Sequence, residues 1–311
     1  MYKTALLSII LTLSTLHARD VIDDTGLCKI NWTIGSIRCE GESESGQSKY
    51  AAKVVSKVIA QRNMLEVIQG VQIDSTTTVK DGITSSDVIS SRVNGVIRGA
   101  QIISNIYNSN SKSALATVEI KMGKDLLSAL LSDPNQLTFN EKIEQFFNTF
   151  SLTTSLNAHT YTLTEKDTLQ KILEDLQNAK NTQASNLVKQ KINAINTTHY
   201  SGILLDISEV TNFKKAMIVK LVNEQGKEIY PAHAITKEML MKKNTSVGYM
   251  FGFEDARNNS RVYSIPLELK PQGVYKNKHA NLVLNKQQIK QLKSLDKSIF
   301  KNAKIILVLG D

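Results

Sequence analysis

A chain of 311 residues with 41% hydrophobic content is long enough to bury a sizeable core and predicts two domains. Past the first twenty residues no segment approaches eighteen consecutive apolar residues, which excludes a membrane-spanning helix from the rest of the chain. The net charge of +9 is uneven: residues 19–200 carry 19 basic and 19 acidic side chains, whereas residues 201–311 carry 18 basic and 10 acidic, so the excess of +8 lies in the last third.

The chain opens with "MYKTALLSIILTLSTLHARD", in which Lys3 precedes the apolar stretch Ala5 to Leu16. That stretch is short for a bilayer and suits a secretory signal, cleaved after Ala18. A buried N-terminal strand or helix is the alternative. The stretch has no cysteine at its end, so the usual lipid attachment is not expected.

Cys28 and Cys39 flank "KINWTIGSIR". A hairpin whose paired residue numbers sum to 67 sets Cys28 opposite Cys39, Ile30 opposite Ile37 and Trp32 opposite Gly35, with the apolar members on one face. The register that pairs the apolar residues also pairs the cysteines, and an exported chain meets an oxidant, so a disulfide is expected. Two small buried thiols are the alternative.

A long helix follows from about Gln47, with apolar positions Ala51, Val54, Val55, Val58, Leu65 and Ile68 and an end at Gly70, where glycine can take the left-handed conformation. Arg62 and Glu66 stand one turn apart on it. Such a pair contributes about 0.2–0.5 kcal/mol, and arginine keeps its proton near neutrality, so the pair reads as scaffold and not as an active site. "VQIDSTTTV" alternates with period two and reads as a strand. A short helix, then "GVIRGAQIISNIY" and "SALATVEIKM" as an antiparallel pair, complete the part up to residue 123; Gly95 and Gly99 bracket a β-branched run, where glycine marks a turn, bulge or close approach.

Residues 124–199 read as helical, with a capping box at Thr164 and Asp167 and an aromatic cluster in "QFFNTF". In residues 200–311, "SGILLDI", "AMIVKLV" and "KIILVLG" read as strands and "NEQGKE" as a turn. "LNKQQIKQLKSLDKSIF" reads as one amphipathic helix capped by Asn285, with Lys286, Lys290, Lys293 and Lys297 opposite its apolar face. Outside the cytoplasm those lysines suit an anionic cell-wall or lipid surface and not nucleic acid; a solvated helix face is the plainer reading.

Catalytic patterns are missing. His159, His199, His233 and His279 lie far apart, with no HxxxH or HxH spacing, no GxSxG elbow and no GxxxxGK[ST] loop. Asp23–Asp24 and Glu254–Asp255 lack the frame of a calcium loop. No metal or cofactor is expected.

Three stretches, "INWTIGSIRCEGES", "AAKVVSKVIAQRNMLEVIQGVQIDSTTTV" and "VNGVIRGAQIIS", resemble the LPP-twenty-type bacterial envelope (lipo)protein family, which is related to the flagellar proteins FlgP and FlgT. The resemblance is carried by Trp32 and Gly35, by Ala60, Arg62 and Glu66, by Gly70 with Val71, and by Gly95, Gly99 and Ala100. It covers about residues 29–122. It implies a non-catalytic periplasmic protein with a structural or assembly role at the flagellum or elsewhere in the envelope, with envelope or flagellar proteins, or further copies of itself, as partners. The helical segment and the paired cysteines depart from the family pattern. The expected architecture is therefore α+β: a signal peptide at 1–18, a hairpin-helix-strand-helix-two-strand domain at 19–123, a helical linker or insert at 124–199 and a basic α/β domain at 200–311. A binding module for cell-wall polymer or lipid head groups is the first alternative, and a secreted hydrolase the second.

Overall fold

The computed structural model describes residues 19–131, 171–175, 178, 184, 188, 200–231, 234–263 and 265–310. The expected signal peptide, the aromatic cluster at 145–150, the capping box at 164–167 and His159, His199 and His233 lie outside the described residues. The fold is α+β.

The first part is a five-stranded antiparallel sheet in the order β1-β2-β3-β5-β4, built from β1 (Ile22–Asp24), β2 (Cys28–Asn31), β3 (Ser36–Glu42), β4 (Gln101–Asn108) and β5 (Ser113–Lys121). Between β3 and β4 run α1 (Lys49–Gln69), α2 (Val79–Ser85) and α3 (Asp87–Arg98). The β2–β3 register is the expected one, Cys28 against Cys39 and Ile30 against Ile37, and a disulfide joins the two cysteines. Trp32 and Gly35 fall in the turn between the strands and not in the ladder, and Gly35 has a φ of +66°, open to glycine at little cost.

Ser48 caps α1 by accepting a hydrogen bond from the Ala51 N–H. The helix then buries every fourth residue: Ala52, Ser56, Ala60, Met64 and Ile68. This corrects the expected apolar face, since Val54 and Val58 are exposed. The small residues lead because the helix lies against the sheet: a Cβ on Gly41 of β3 would stand 2.2 Å from the Ala60 nitrogen and 2.5 Å from the Ser56 carbonyl oxygen.

Three further expectations in this part fail. Residues 71–79 form no strand. Asp74 Oδ1 accepts from the N–H groups of Thr76 and Thr77 and folds the segment back on itself, leaving a single bridge from Gln72 to Thr78. "GVIRG" is the end of α3, whose buried Ile89, Val93 and Ile97 repeat every four residues; packing outweighs the strand propensity of the β-branched run. Gly95 is thus a position inside a helix, and Gly99 is that helix's C-cap. Gly70 ends α1 as expected, but in right-handed geometry with φ −80°.

Beyond β5, Met122–Leu127 forms a π-helical turn that continues into α4 (Ser128–Leu131), and both bury apolar side chains. The last part holds two four-stranded sheets. One has the order β10-β6-β13-β9, with β6 (Gly202–Asp206), β9 (Gly248–Phe251), β10 (Pro266–Leu269) and β13 (Ile305–Leu309) all parallel. The other has the order β11-β12-β7-β8, with β7 (Lys220–Val222), β8 (Glu228–Tyr230), β11 (Gly273–Tyr275) and β12 (Lys278–Val283). The helices are α5 (Lys237–Lys243), α6 (Phe253–Arg257), α7 (Lys286–Lys293) and α8 (Lys297–Lys301). Of "AMIVKLV" only the last three residues are β7, because the Met217 and Ile218 N–H groups donate instead to the Gln72 and Ile73 carbonyls.

One hydrophobic cluster runs through both parts, from Trp32, Met64 and Ile120 to Leu205, Tyr249 and Leu307. The Trp32 ring meets the edge of Tyr249 at 5.4 Å between centroids, and its Nε1–H donates to Asp23. Asn244, at φ +67°, fills the space beside Gly35, donates from Nδ2 to the Ile34 carbonyl and accepts the Gly123 N–H. Lys215 adds an ion pair to Asp23 at 2.9 Å.

Candidate interaction surface

Helix α1 turns Tyr50, Val54 and Val58 to solvent, two residues out of phase with its buried stripe, and Arg62 and Glu66 continue the same i, i+4 series. The first three are large apolar or aromatic side chains, with Tyr50 82% exposed. Arg62 and Glu66, the motif pair, make no ion pair with each other and sit at the polar end of the series. Ala60 serves differently, fully buried where the helix meets Gly41.

Alongside this stripe runs Lys49, Lys53 and Lys57, and among the described residues none of them forms an ion pair. These residues and Gln61 wall an open groove of about 680 Å³ whose floor is Asn105 of β4. Asn105 donates to the Lys53 carbonyl, Tyr107 donates to the Gln47 carbonyl and Gln61 donates to the Ile97 and Arg98 carbonyls, so the groove is braced by side chains on both sides. The Asn105 Oδ1 is buried and receives no hydrogen bond from a described residue.

Among the described residues, strand β4 is the outer strand of its sheet and pairs only with β5. Its eight residues, "QIISNIYN", include no charge, no proline and no glycine, and Ile102, Ile103 and Ile106 are exposed. Edge strands of monomeric proteins are usually protected by charge, proline or short length. The irregularity between Ile102 and Ser104 is the one such device here. The sheet face turned away from α1 carries Leu115 next to Ile106, then a polar set in which Glu119 lies between Arg38 at 2.9 Å and Lys121 at 3.0 Å. Burial alone would raise the Glu119 pKa, but hydrogen bonds and charge from Lys121 and Arg38 outweigh it and hold the carboxyl below its ordinary range.

The other expected contact site divides in two. Lys286, Lys290 and Lys293 lie on α7, which Asn285 and Gln288 begin with a reciprocal capping box. The chain breaks after Lys293, and Asp296 caps a separate helix, α8, that begins at Lys297. All four lysines remain exposed. His279 Nδ1 donates to the Asn212 carbonyl at 2.8 Å, and among the described residues no group of three or more His, Cys, Asp or Glu is placed to hold a metal ion. Among the described helices none is long and apolar enough to cross a membrane.

Sequence reasoning named Arg62, Glu66 and Ala60 but missed the groove beside them. The available signal was the i, i+4 repeat of lysine at 49, 53 and 57 next to the repeat at 50, 54 and 58.

Residues 202–311 match the family model described as Treponema pallidum Tp0624, second domain. A search of curated proteins finds no match to this chain.

Proposed function

We propose that this chain is a non-catalytic, exported protein of the bacterial envelope with a structural or assembly role, and that its setting is the periplasm, at the flagellum. The observation that carries the interaction role is the eight-residue edge strand β4, unpaired on its outer side among the described residues and set beside the exposed apolar stripe of α1. The Cys28–Cys39 disulfide suits an oxidising compartment, as does the apolar N-terminal stretch. The flagellar setting rests on the LPP-twenty resemblance of residues 29–122. Electron cryotomography of flagellar motors with and without the gene tests it: loss of a defined periplasmic density is expected, and unaltered motors would reject the flagellar setting. Cell fractionation tests export separately, with recovery in the cytoplasmic fraction as the opposing result.

Binding of the exposed lysines on α7 and α8 to cell-wall polymer or lipid head groups is the second reading, favoured by the charge excess of residues 201–311. It predicts co-sedimentation with anionic vesicles that weakens steeply with salt. Salt-insensitive sedimentation would count against it.

A further inference from the structure

Resting on the reading of this chain as an interaction protein, we propose that the groove between α1 and β4 takes an extended acidic-apolar segment of a partner protein, which adds to β4 as a sixth strand of the sheet. Strand addition to an open edge is a recurring recognition mode: main-chain hydrogen bonds provide affinity, and pockets for alternate side chains provide specificity.

Three features fix the chemistry of the segment. First, the outer backbone groups of Gln101–Asn108 have no partner among the described residues, and the strand has no charge or proline to repel an incoming chain. Second, Val54 and Val58 of α1 are exposed and line the same groove as Asn105 of β4, so an added strand would lay alternate apolar side chains against them and bury apolar area now in water. Third, Lys49, Lys53 and Lys57 line the same groove without acidic partners among the described residues, so carboxylates on the segment would meet uncompensated positive charge.

The same lysines argue against a second copy of this chain. Two β4 strands paired edge to edge about a two-fold axis bring like surfaces together, and so bring three lysines toward three lysines. Alternation of apolar and acidic residues in a strand, rather than an acyl chain, also matches an edge whose unmet groups are backbone donors and acceptors. The groove floor has its own acceptor without a partner among the described residues, Asn105 Oδ1.

The probe is a display library of random decapeptides, selected on the full chain. Selected peptides are expected to alternate apolar residues with aspartate or glutamate, to slow amide hydrogen exchange at residues 101–108, and to bind about tenfold more weakly to K53E/K57E. Both lysines are on the helix surface, and unchanged thermal unfolding of the variant would show that the fold is intact. Ile106→Lys, a charge placed on the edge, is expected to lower affinity in the same direction without touching α1. Peptides that bind the parent and K53E/K57E equally, or that slow exchange at another strand and leave 101–108 unchanged, would overturn the proposal. So would slowed exchange at 101–108 brought about by raising protein concentration alone, which assigns the edge to a second copy, or by anionic vesicles alone, which assigns it to lipid. None of these readouts depends on the motor images or on fractionation, so a wrong partner chemistry and a wrong cellular setting are distinguishable.

Discussion

The two ends of the chain solve the problem of a sheet in opposite ways. In the parallel sheet, alternate residues go to opposite faces and both faces are covered: Ile203, Leu205, Ile305 and Leu307 enter the main core, while Leu204, Ile306 and Val308 enter a second cluster with Met250, Ala256 and Val262. In the antiparallel sheet the described residues cover only the face under α1, and the other carries Arg38, Glu40, Glu42, Leu115 and Glu119 beside an edge that no described strand pairs. A sheet buried on both sides keeps only its outer strands, whereas one buried on a single side keeps a face as well as an edge. The contrast sets a doubly covered sheet in one region against a half-covered one in the other.

The largest effect expected from that contrast is in the core. Leu307→Ala should cost about 2–5 kcal/mol in urea unfolding, while Leu115→Ala on the open face should cost about 0.5 kcal/mol. Equal losses would break the distinction. Removing the disulfide as Cys28→Ala with Cys39→Ala should lower stability by about 2–3 kcal/mol, given the sequence separation of 11, and leave the order of amide protection at β6 and β13 unchanged. Next is Glu119→Gln, expected to cost about 1–3 kcal/mol at neutral pH. The folded carboxyl is held below its ordinary value of about 4.3, so the parent's stabilisation is complete above that pH and is lost as pH falls through the folded value. The variant should therefore show a flatter stability curve below the ordinary carboxyl value of about 4.3; a curve as steep as the parent's would remove Glu119 as the source. The smallest effect should come from Arg62→Ala or Glu66→Ala, each within about 0.5 kcal/mol. A larger loss would mean the motif pair supports the fold in a way its exposure does not show.

Legibility followed the range of the interactions. The hairpin register could be read because Cys28, Ile30, Ile37 and Cys39 are close in sequence and their pattern admits one alignment. The strands β6 and β13 could be read because burial on both faces leaves nearly unbroken apolar runs. The segment 71–79 could not, since its alternation reflects packing against residues 216–218, far along the chain, and an Asp74 turn that local propensity does not rank. Likewise the β-branched "GVIR" is helical because Ile89, Val93 and Ile97 have a core to face. In α1 the helix was legible but its orientation was not. Valine at 54 and 58 outweighed alanine and serine on a hydrophobicity count, whereas the close approach at Gly41 selects the small residues for the inside. That inversion also hid the groove, because side chains assigned to the core were not available for a surface.

The order of strands in the parallel sheet has a temporal meaning. β13, the strand latest in sequence, lies between β6 and β9, and it is the one that joins them. A chain emerging from a ribosome or a translocation pore presents β6, β9 and β10 first, with an empty lane where residues 305–309 belong. The register of that sheet is then sealed late, and a message cut short before residue 305 would leave β9 without its strand partner, held by the packing of Tyr249 on Trp32.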